Sequence, residues 1–236
     1  MLIIFDLDDT LIDCFGSLSP VQLSKALDAM IEAGLEVDSR EGAFNQLLQF
    51  NQTSLSGRSA IRKFLEQMDL NGQQDYFWEI GMKEYYTNNW VEVSVKPLTG
   101  AQFVLGKLKE KNKLALVSRG DLNQQTKKMI KAGLNPGLFD AISVTEDLNK
   151  KGFNKKKAYQ TLIHQFGVSP AEVLVCGDKV RTDLLPAQEL GMKTVHMLWG
   201  RGKLYSKEDY MVDFKIERLD QITGIVKKMG GLRCKQ

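Results

Sequence analysis

Three acids within four positions, Asp6, Asp8 and Asp9, followed by Thr10, are the first residues of this chain able to do chemistry. They close an apolar run, Leu2-Ile3-Ile4-Phe5, whose β-branched centre suits a strand buried on both faces. Side chains two apart on a strand leave the backbone on the same side, so Asp6 and Asp8 project together. The carboxyl end of a parallel strand is where open α/β sheets bind ligands. Two carboxylates held that close repel each other until a cation or a proton settles the charge. A strand running into an acidic surface turn would carry the same letters, so the remainder of the chain has to decide.

Two later apolar runs also end in polar residues. Leu114 to Val117 stops at Ser118-Arg119-Gly120, and Val173 to Cys176 stops at Gly177-Asp178, with Asp183 five residues on in the opening of the next helix. Between them stand Lys150-Lys151 and Lys155-Lys156-Lys157. Singly, each has a plain structural reading: Ser118 as a turn cap, Asp178 and Asp183 as strand-end and helix-cap acids, the lysines as a solvated face. Jointly, the plain readings require three coincidences at strand ends. His164 and His196 lack carboxylate or cysteine neighbours at metal-binding spacing and are read as a helix-surface residue and a strand residue.

The elements that must position these residues follow from periodicity. From Cys14 to about Val95 the pattern is helical, with Leu23, Leu27, Met30 and Gly34 on one face and Ile61, Leu65 and Met68 on another. Ser19-Pro20 reads as a serine cap and first-turn proline. The aromatic stretch from Tyr76 through Trp78 and Tyr86 to Trp90 reads as core packing. After Val95, strands and helices alternate: a helix to about Glu110, the Leu114 strand, a helix capped by Asp121, a strand at Ala141–Val144, and a helix from about Lys155 to Phe166. The Val173 strand, a helix from Asp183 to Leu190, a strand at Thr194–Met197, a short strand at Phe214–Ile216, an amphipathic helix carrying Leu219, Ile222 and Val226, and a frayed tail from Gly230 complete the chain. Strands joined by helical segments of this length predict a mostly parallel α/β sheet with helices on both faces. The helical stretch reads as a cap inserted after the first strand: residues 14–95 between core segments 1–13 and 96–236.

Composition narrows the function classes. The net charge of +3, from 32 basic and 29 acidic residues, is too nearly balanced to argue for nucleic acid. Cys14, Cys176 and Cys234 are odd in number and lack metal spacing, which points to a reducing, cytoplasmic setting. No leader and no apolar run of about 20 residues is present, so no membrane partner is expected.

Taken together, Asp6-Leu7-Asp8-Asp9-Thr10, Ser118, a lysine before a helix, and Gly177-Asp178 followed by Asp183 resemble the four motifs of the haloacid dehalogenase-like hydrolase superfamily. The similarity runs in the same order from residue 6 to residue 183. The resemblance implies a Rossmann-like core, Mg²⁺, and hydrolysis of a small phosphorylated metabolite through an aspartyl-phosphate. It casts Asp6 as nucleophile and Asp8 as acid/base whose backbone carbonyl also binds the metal. Asp178 and Asp183 complete the metal set with Asp6, and Ser118 donates to a phosphoryl oxygen. Lys155 is preferred to Lys151 as the lysine that neutralises the phosphoryl group. The chain departs from the family pattern at Arg119, where a small polar residue is usual; Arg119 and Arg58, the latter in a Ser56-Gly57-Arg58-Ser59 specificity loop, are candidate substrate contacts. Trp199-Gly200-Arg201-Gly202 reads as a structural turn. Other chemistries known on the same fold are haloacid dehalogenation, phosphomutase and phosphonatase activity, the last needing a cap lysine such as Lys63 or Lys83. A silent binding protein is the alternative outside enzymes.

Overall fold

The computed structural model describes residues 1–86, 94–145, 155–205 and 211–233. The chain divides into two compact units, one comprising Met1–Asp13 with Val95–Gln236 and the other Cys14–Ser94.

The first unit is built on a parallel sheet. Strand β1 (Leu2–Phe5) is fully buried along its length, as an unbroken apolar run requires. After it the chain turns through Asp9, whose φ of 60° is left-handed, a conformation that aspartate tolerates better than most residues. Strand β2 (Ile12–Asp13) then pairs antiparallel with β3 (Lys96–Pro97). Helix α5 (Ala101–Lys109) leads to β4 (Lys113–Arg119), which lies parallel to β1. Helix α6 (Leu122–Lys131) is capped by the Asp121 side chain, which accepts from the Gln124 amide. Beyond it run β5 (Ala141–Thr145), α7 (Lys156–Phe166) and β6 (Val173–Gly177). A π-helical turn (Val180–Leu184), short helix α8 (Leu185–Gln188), β7 (Lys193–Met197), one turn of helix α9 (Gly202–Tyr205), β8 (Phe214–Ile216) and α10 (Ile222–Arg233) follow.

The strand order is β5-β4-β1-β6-β7-β8, with every neighbouring pair parallel. The chain builds outward from β1 in one direction through β4 and β5, then returns to the other side at β6. That reversal leaves a crevice at the carboxyl end of β1, where doubly wound sheets place their ligands. One face of the sheet is covered by Tyr159 and Leu162 of α7 with Val180, Leu184 and Ala187, packed on Leu2, Ile4, Ala115, Val117, Val173 and Val175. Each leucine, isoleucine and valine among them contributes about 1.5–3 kcal/mol on burial.

The second unit is four helices: α1 (Ser19–Glu32), α2 (Arg40–Thr53), α3 (Gly57–Glu66) and α4 (Gln74–Tyr86). Its separate core joins Leu23, Leu27 and Met30 to Leu47, Ile61, Phe64, Leu65 and Phe77.

Several local expectations are corrected. Ser19 does not cap α1: a π-helical turn at Cys14–Leu18 runs directly into the helix, Leu18 occupies the cap position, and Ser19 is buried with its hydroxyl 3.4 Å from the Tyr85 hydroxyl. The Ser56–Ser59 stretch is not a loop but the reciprocally capped start of α3, Ser56 accepting from the Ser59 amide and Ser59 Oγ from the Ser56 amide. Tyr76 and Tyr86, 53% and 54% exposed, stand outside the core that Phe77 and Tyr85 enter, because they fall on the opposite face of α4. The expected Asp183–Leu190 α-helix is shorter and begins later, at Leu185–Gln188, with Asp183 in the π-helical turn Val180–Leu184 that precedes it. Helix α10 continues through Gly230 to Arg233. Trp90, Lys150, Lys151 and Cys234 lie outside the described residues. Among the described residues no helix is long and apolar enough to cross a membrane.

Candidate active site

Register decides where the polar strand ends meet. Phe5 is paired with Leu116 on one side and Cys176 on the other, and the Asp6 amide extends the ladder by donating to Cys176 O at 2.9 Å. Asp6, Ser118 and Asp178 therefore emerge at one edge of the sheet, within two residues of one another along the strand direction.

Asp6, Asp178 and Asp183 each place a carboxylate oxygen within 4.8 Å of the others, and all are buried. Lys155, immediately before α7, is 3% exposed and reaches in to bridge two of them, its Nζ lying 2.5 Å from Asp6 Oδ1 and 3.0 Å from Asp183 Oδ1. Burial works against the Lys155 ammonium, but the Asp183 and Asp6 carboxylates outweigh it and hold its pKa above the ordinary lysine value. Burial raises the Asp6 pKa, opposed by Lys155.

Asp183 is held from several directions. Its Oδ2 accepts from the Lys179 amide at 3.1 Å and its Oδ1 from Thr182 Oγ1 at 3.2 Å, while Tyr159 donates its hydroxyl to Asp183 O at 3.1 Å. Asp178 is the contrast. It is fully buried, yet among the described residues neither carboxylate oxygen has a hydrogen-bond partner, and Lys179 Nζ stands 3.7 Å from Oδ1. Burial drives its pKa well above the usual carboxylate range. An orphaned buried carboxylate is costly by itself but is what an oxygen-seeking cation requires. With Asp6 and Asp183 beside it, the donor set is hard oxygen only and fits Mg²⁺.

The remaining expected residues are placed as follows. Ser118, at the end of β4, is 1% exposed and accepts a 2.7 Å hydrogen bond from Gln125 Nε2. Asp8, beyond Asp6, is partly exposed and pairs with Lys128 at 2.7 Å. Arg119 is exposed, its carbonyl accepting from Gln125. Arg58 belongs to the helical unit, where its guanidinium lies 4.7 Å from the Trp78 ring centroid. His164 is exposed on α7.

Sequence reading missed Gln125, Lys128, Lys179 and the roles of Arg201 and His196. Arg201 is buried, with Nη1 3.8 Å from Asp9 Oδ2, and Trp199 donates its indole hydrogen to Asp13 at 3.0 Å. The loop after β7 is thereby tied to the turn after β1. The His196 ring hydrogen on Nε2 goes to Asp178 O at 3.1 Å, since a carbonyl can only accept, and this fixes the tautomer.

A reversing parallel sheet with buried carboxylates and a lysine at its carboxyl edge defines a class: doubly wound α/β proteins with a candidate cation site at the point where the strand order reverses. The family is narrower. The chain belongs to the haloacid dehalogenase-like hydrolases, whose family model matches residues 3–197. A protein of Methanocaldococcus jannaschii named glyceraldehyde 3-phosphate phosphatase is 29% identical, over 96% of this chain and 97% of that relative. One of the same name from Pyrococcus furiosus is 26% identical, over 98% and 94%. Among solved structures, the HAD-hydrolase YfnB of Bacillus subtilis, bound to magnesium, superposes with a TM-score of 0.62 at 19% identity, covering 96% of this chain and 98% of that one. A 2-haloacid dehalogenase of Pseudomonas syringae pv. Tomato gives 0.55 at 19% identity, covering 96% and 98%. Structural likeness to proteins so different in name shows the fold alone.

Proposed function

We propose that this chain is a Mg²⁺-dependent phosphatase that hydrolyses a small phosphomonoester through a phosphoryl group carried on Asp6. The observation that supports it most is the meeting of Asp6 and Asp183 on Lys155, beside an Asp178 carboxylate with no hydrogen bond among the described residues. Asp6, Asp178 and Asp183, with the backbone carbonyl of Asp8, would hold the ion. When bound, Mg²⁺ supplies positive charge against the phosphoryl oxygens and so lowers their repulsion of Asp6.

The protein groups do the rest. An Asp6 oxygen attacks phosphorus in line, and the ester oxygen leaves, taking a proton from Asp8. Asp8 then removes a proton from water, the water oxygen attacks the phosphorus, and Asp6 is released as a carboxylate with inorganic phosphate. Lys155 places its ammonium beside Asp6 so that the incoming dianion meets a cation first, and Ser118 donates its hydroxyl hydrogen to a phosphoryl oxygen. We read Cys14–Ser94 as the cap that selects the leaving group and excludes water, with Arg58 and Arg119 as candidate substrate contacts.

Attack on carbon, as in a dehalogenase, has no use for an Asp178 carboxylate stripped of hydrogen bonds. The names of the relatives make glyceraldehyde 3-phosphate the first substrate to try. The test is phosphate release from a panel of sugar and triose phosphates, that compound included, with Mg²⁺ and then with chelator. Release that stops on chelation supports the reading; no release from any ester, or release indifferent to chelator, contradicts it.

A further inference from the structure

Helix α6 sends two side chains one turn apart, Gln125 and Lys128, to the Asp8 side of the site. Gln125 is 3% exposed, and its Nε2 lies 2.7 Å from Ser118 Oγ, 2.9 Å from Arg119 O and 3.3 Å from Asp8 Oδ2. A backbone carbonyl can only accept, so the amide end facing these groups is the nitrogen. The amide nitrogen donates and cannot accept, so the single hydrogen of the Ser118 hydroxyl is directed elsewhere. Lys128 lies 2.7 Å from the other Asp8 oxygen, Oδ1, with only 11% of its side chain exposed.

One helix thus engages both Asp8 oxygens and orients the Ser118 hydroxyl through a single amide. Packing alone does not ask for this. Met129, the next residue, is fully buried and anchors α6 by apolar contact, whereas burying a lysine costs free energy that a hydrocarbon at the same position would not.

We propose that Gln125 and Lys128 are positioning residues for the reaction: Lys128 and Gln125 hold the Asp8 carboxyl group at the angle from which it serves the leaving oxygen, and Gln125 turns the Ser118 hydroxyl hydrogen toward the phosphoryl group. The inference rests on the phosphatase reading above. It separates two tasks, proton delivery and phosphoryl binding, and assigns Lys128 to the first and Gln125 to both.

The experiment compares kcat/KM for an alkyl ester, glycerol 3-phosphate, with that for an activated aryl ester, 4-nitrophenyl phosphate. The kcat/KM value reports the chemistry up to release of the alcohol, and only the alkyl leaving group needs a proton delivered to it. Lys128→Met is expected to lower the alkyl value about a hundredfold and the aryl value less than about threefold, the usual scale of general-acid assistance. Lys128→Arg should restore most of the loss. Gln125→Glu, which keeps the shape but cannot donate, should also weaken inhibition by inorganic phosphate about tenfold.

Equal losses on both esters in Lys128→Met would mean a merely structural role and overturn the proposal, as would variants indistinguishable from wild type. Wild-type protein inactive on the aryl ester and on every alkyl phosphate of the panel above would remove the phosphatase reading and the inference with it; where glycerol 3-phosphate is not turned over, the best alkyl ester of that panel takes its place. Active wild type with equal losses removes the inference alone. Inhibition by phosphate unchanged in Gln125→Glu overturns the assignment of Gln125 to Ser118.

Discussion

Asp183 presses its carboxylate over the backbone of Gly177: a Cβ on residue 177 would stand 2.7 Å from Asp183 Oδ2 and 2.8 Å from its Cβ. The glycine that ends β6 is therefore set by space, because the chain at that point must pass beneath a carboxylate already fixed by Lys155, Thr182 and the Lys179 amide. Gly177→Ala should fold, since β6 stays buried on both faces, but should displace Asp183 by several tenths of an ångström. The expected result is at least about tenfold weaker Mg²⁺ binding by calorimetry, as for other changes to residues that orient metal ligands. Unchanged affinity would show that the contact yields without consequence.

Lys155 is the cation that two buried carboxylates share in the absence of metal. Lys155→Met keeps the volume and removes the charge, leaving Asp6 and Asp183 to repel each other. Urea unfolding in chelator is expected to show a loss of about 3 kcal/mol, the scale for breaking a buried ion pair from one side. Saturating Mg²⁺ should return part of it, because the ion binds only the folded state.

Asp178 should behave in the opposite sense. Among the described residues its carboxylate has no hydrogen bond, only Lys179 Nζ at 3.7 Å, so Asp178→Asn removes a buried acid whose charged form the fold disfavours. In chelator the variant is expected to melt higher than wild type, by a few degrees for about 1 kcal/mol. Mg²⁺ should raise the wild-type melting temperature and leave that of the variant unmoved. A variant that melts lower in chelator would contradict the view of Asp178 as a group awaiting a cation.

Away from the site, Asp140 sets a pH limit. It accepts from Lys109 at 2.6 Å, Lys113 at 3.2 Å and the Leu114 amide at 2.9 Å. Burial opposes its charged form, but these donors win and lower its pKa from 3.8 to about 2. A depressed carboxylate pKa stabilises the fold fully above the unfolded value, and the benefit disappears as pH falls through the folded one. Wild type and Asp140→Asn should therefore differ by roughly 1 kcal/mol at neutral pH, discounted for the exposed lysines, and converge near pH 2. A constant difference across that window would assign the effect to packing instead.

Much of this was legible in the sequence because of how the central strands are buried. Leu2–Phe5, Leu114–Val117 and Val173–Cys176 are apolar without alternation, so the strands and their polar ends could be read directly. Gln125 and Lys128 were not. In the stretch Gln124-Gln125-Thr126-Lys127-Lys128-Met129 one lysine resembles the next, and only the placement of α6 makes Lys127 and Lys131 exposed while Lys128 is buried. A faint signal existed: Gln125, Lys128, Met129 and Ala132 recur at helical spacing with the buried methionine among them. The tie from Arg201 to Asp9 had no local signal, because it joins loops nearly the whole chain apart. The π-helical turn that carries Asp183 was equally unreadable, since one residue inserted in a helical turn leaves no mark on periodicity.

Asp6 itself should carry the phosphoryl group during turnover. Wild-type protein turning over a phosphate ester with Mg²⁺, quenched rapidly in acid and mapped by mass spectrometry, should show phosphate on the peptide containing Asp6. The label should vanish on treatment with hydroxylamine and be absent from Asp6→Asn and from samples in chelator. Phosphate found on another residue, or Asp6→Asn hydrolysing the ester at the wild-type rate, would contradict it.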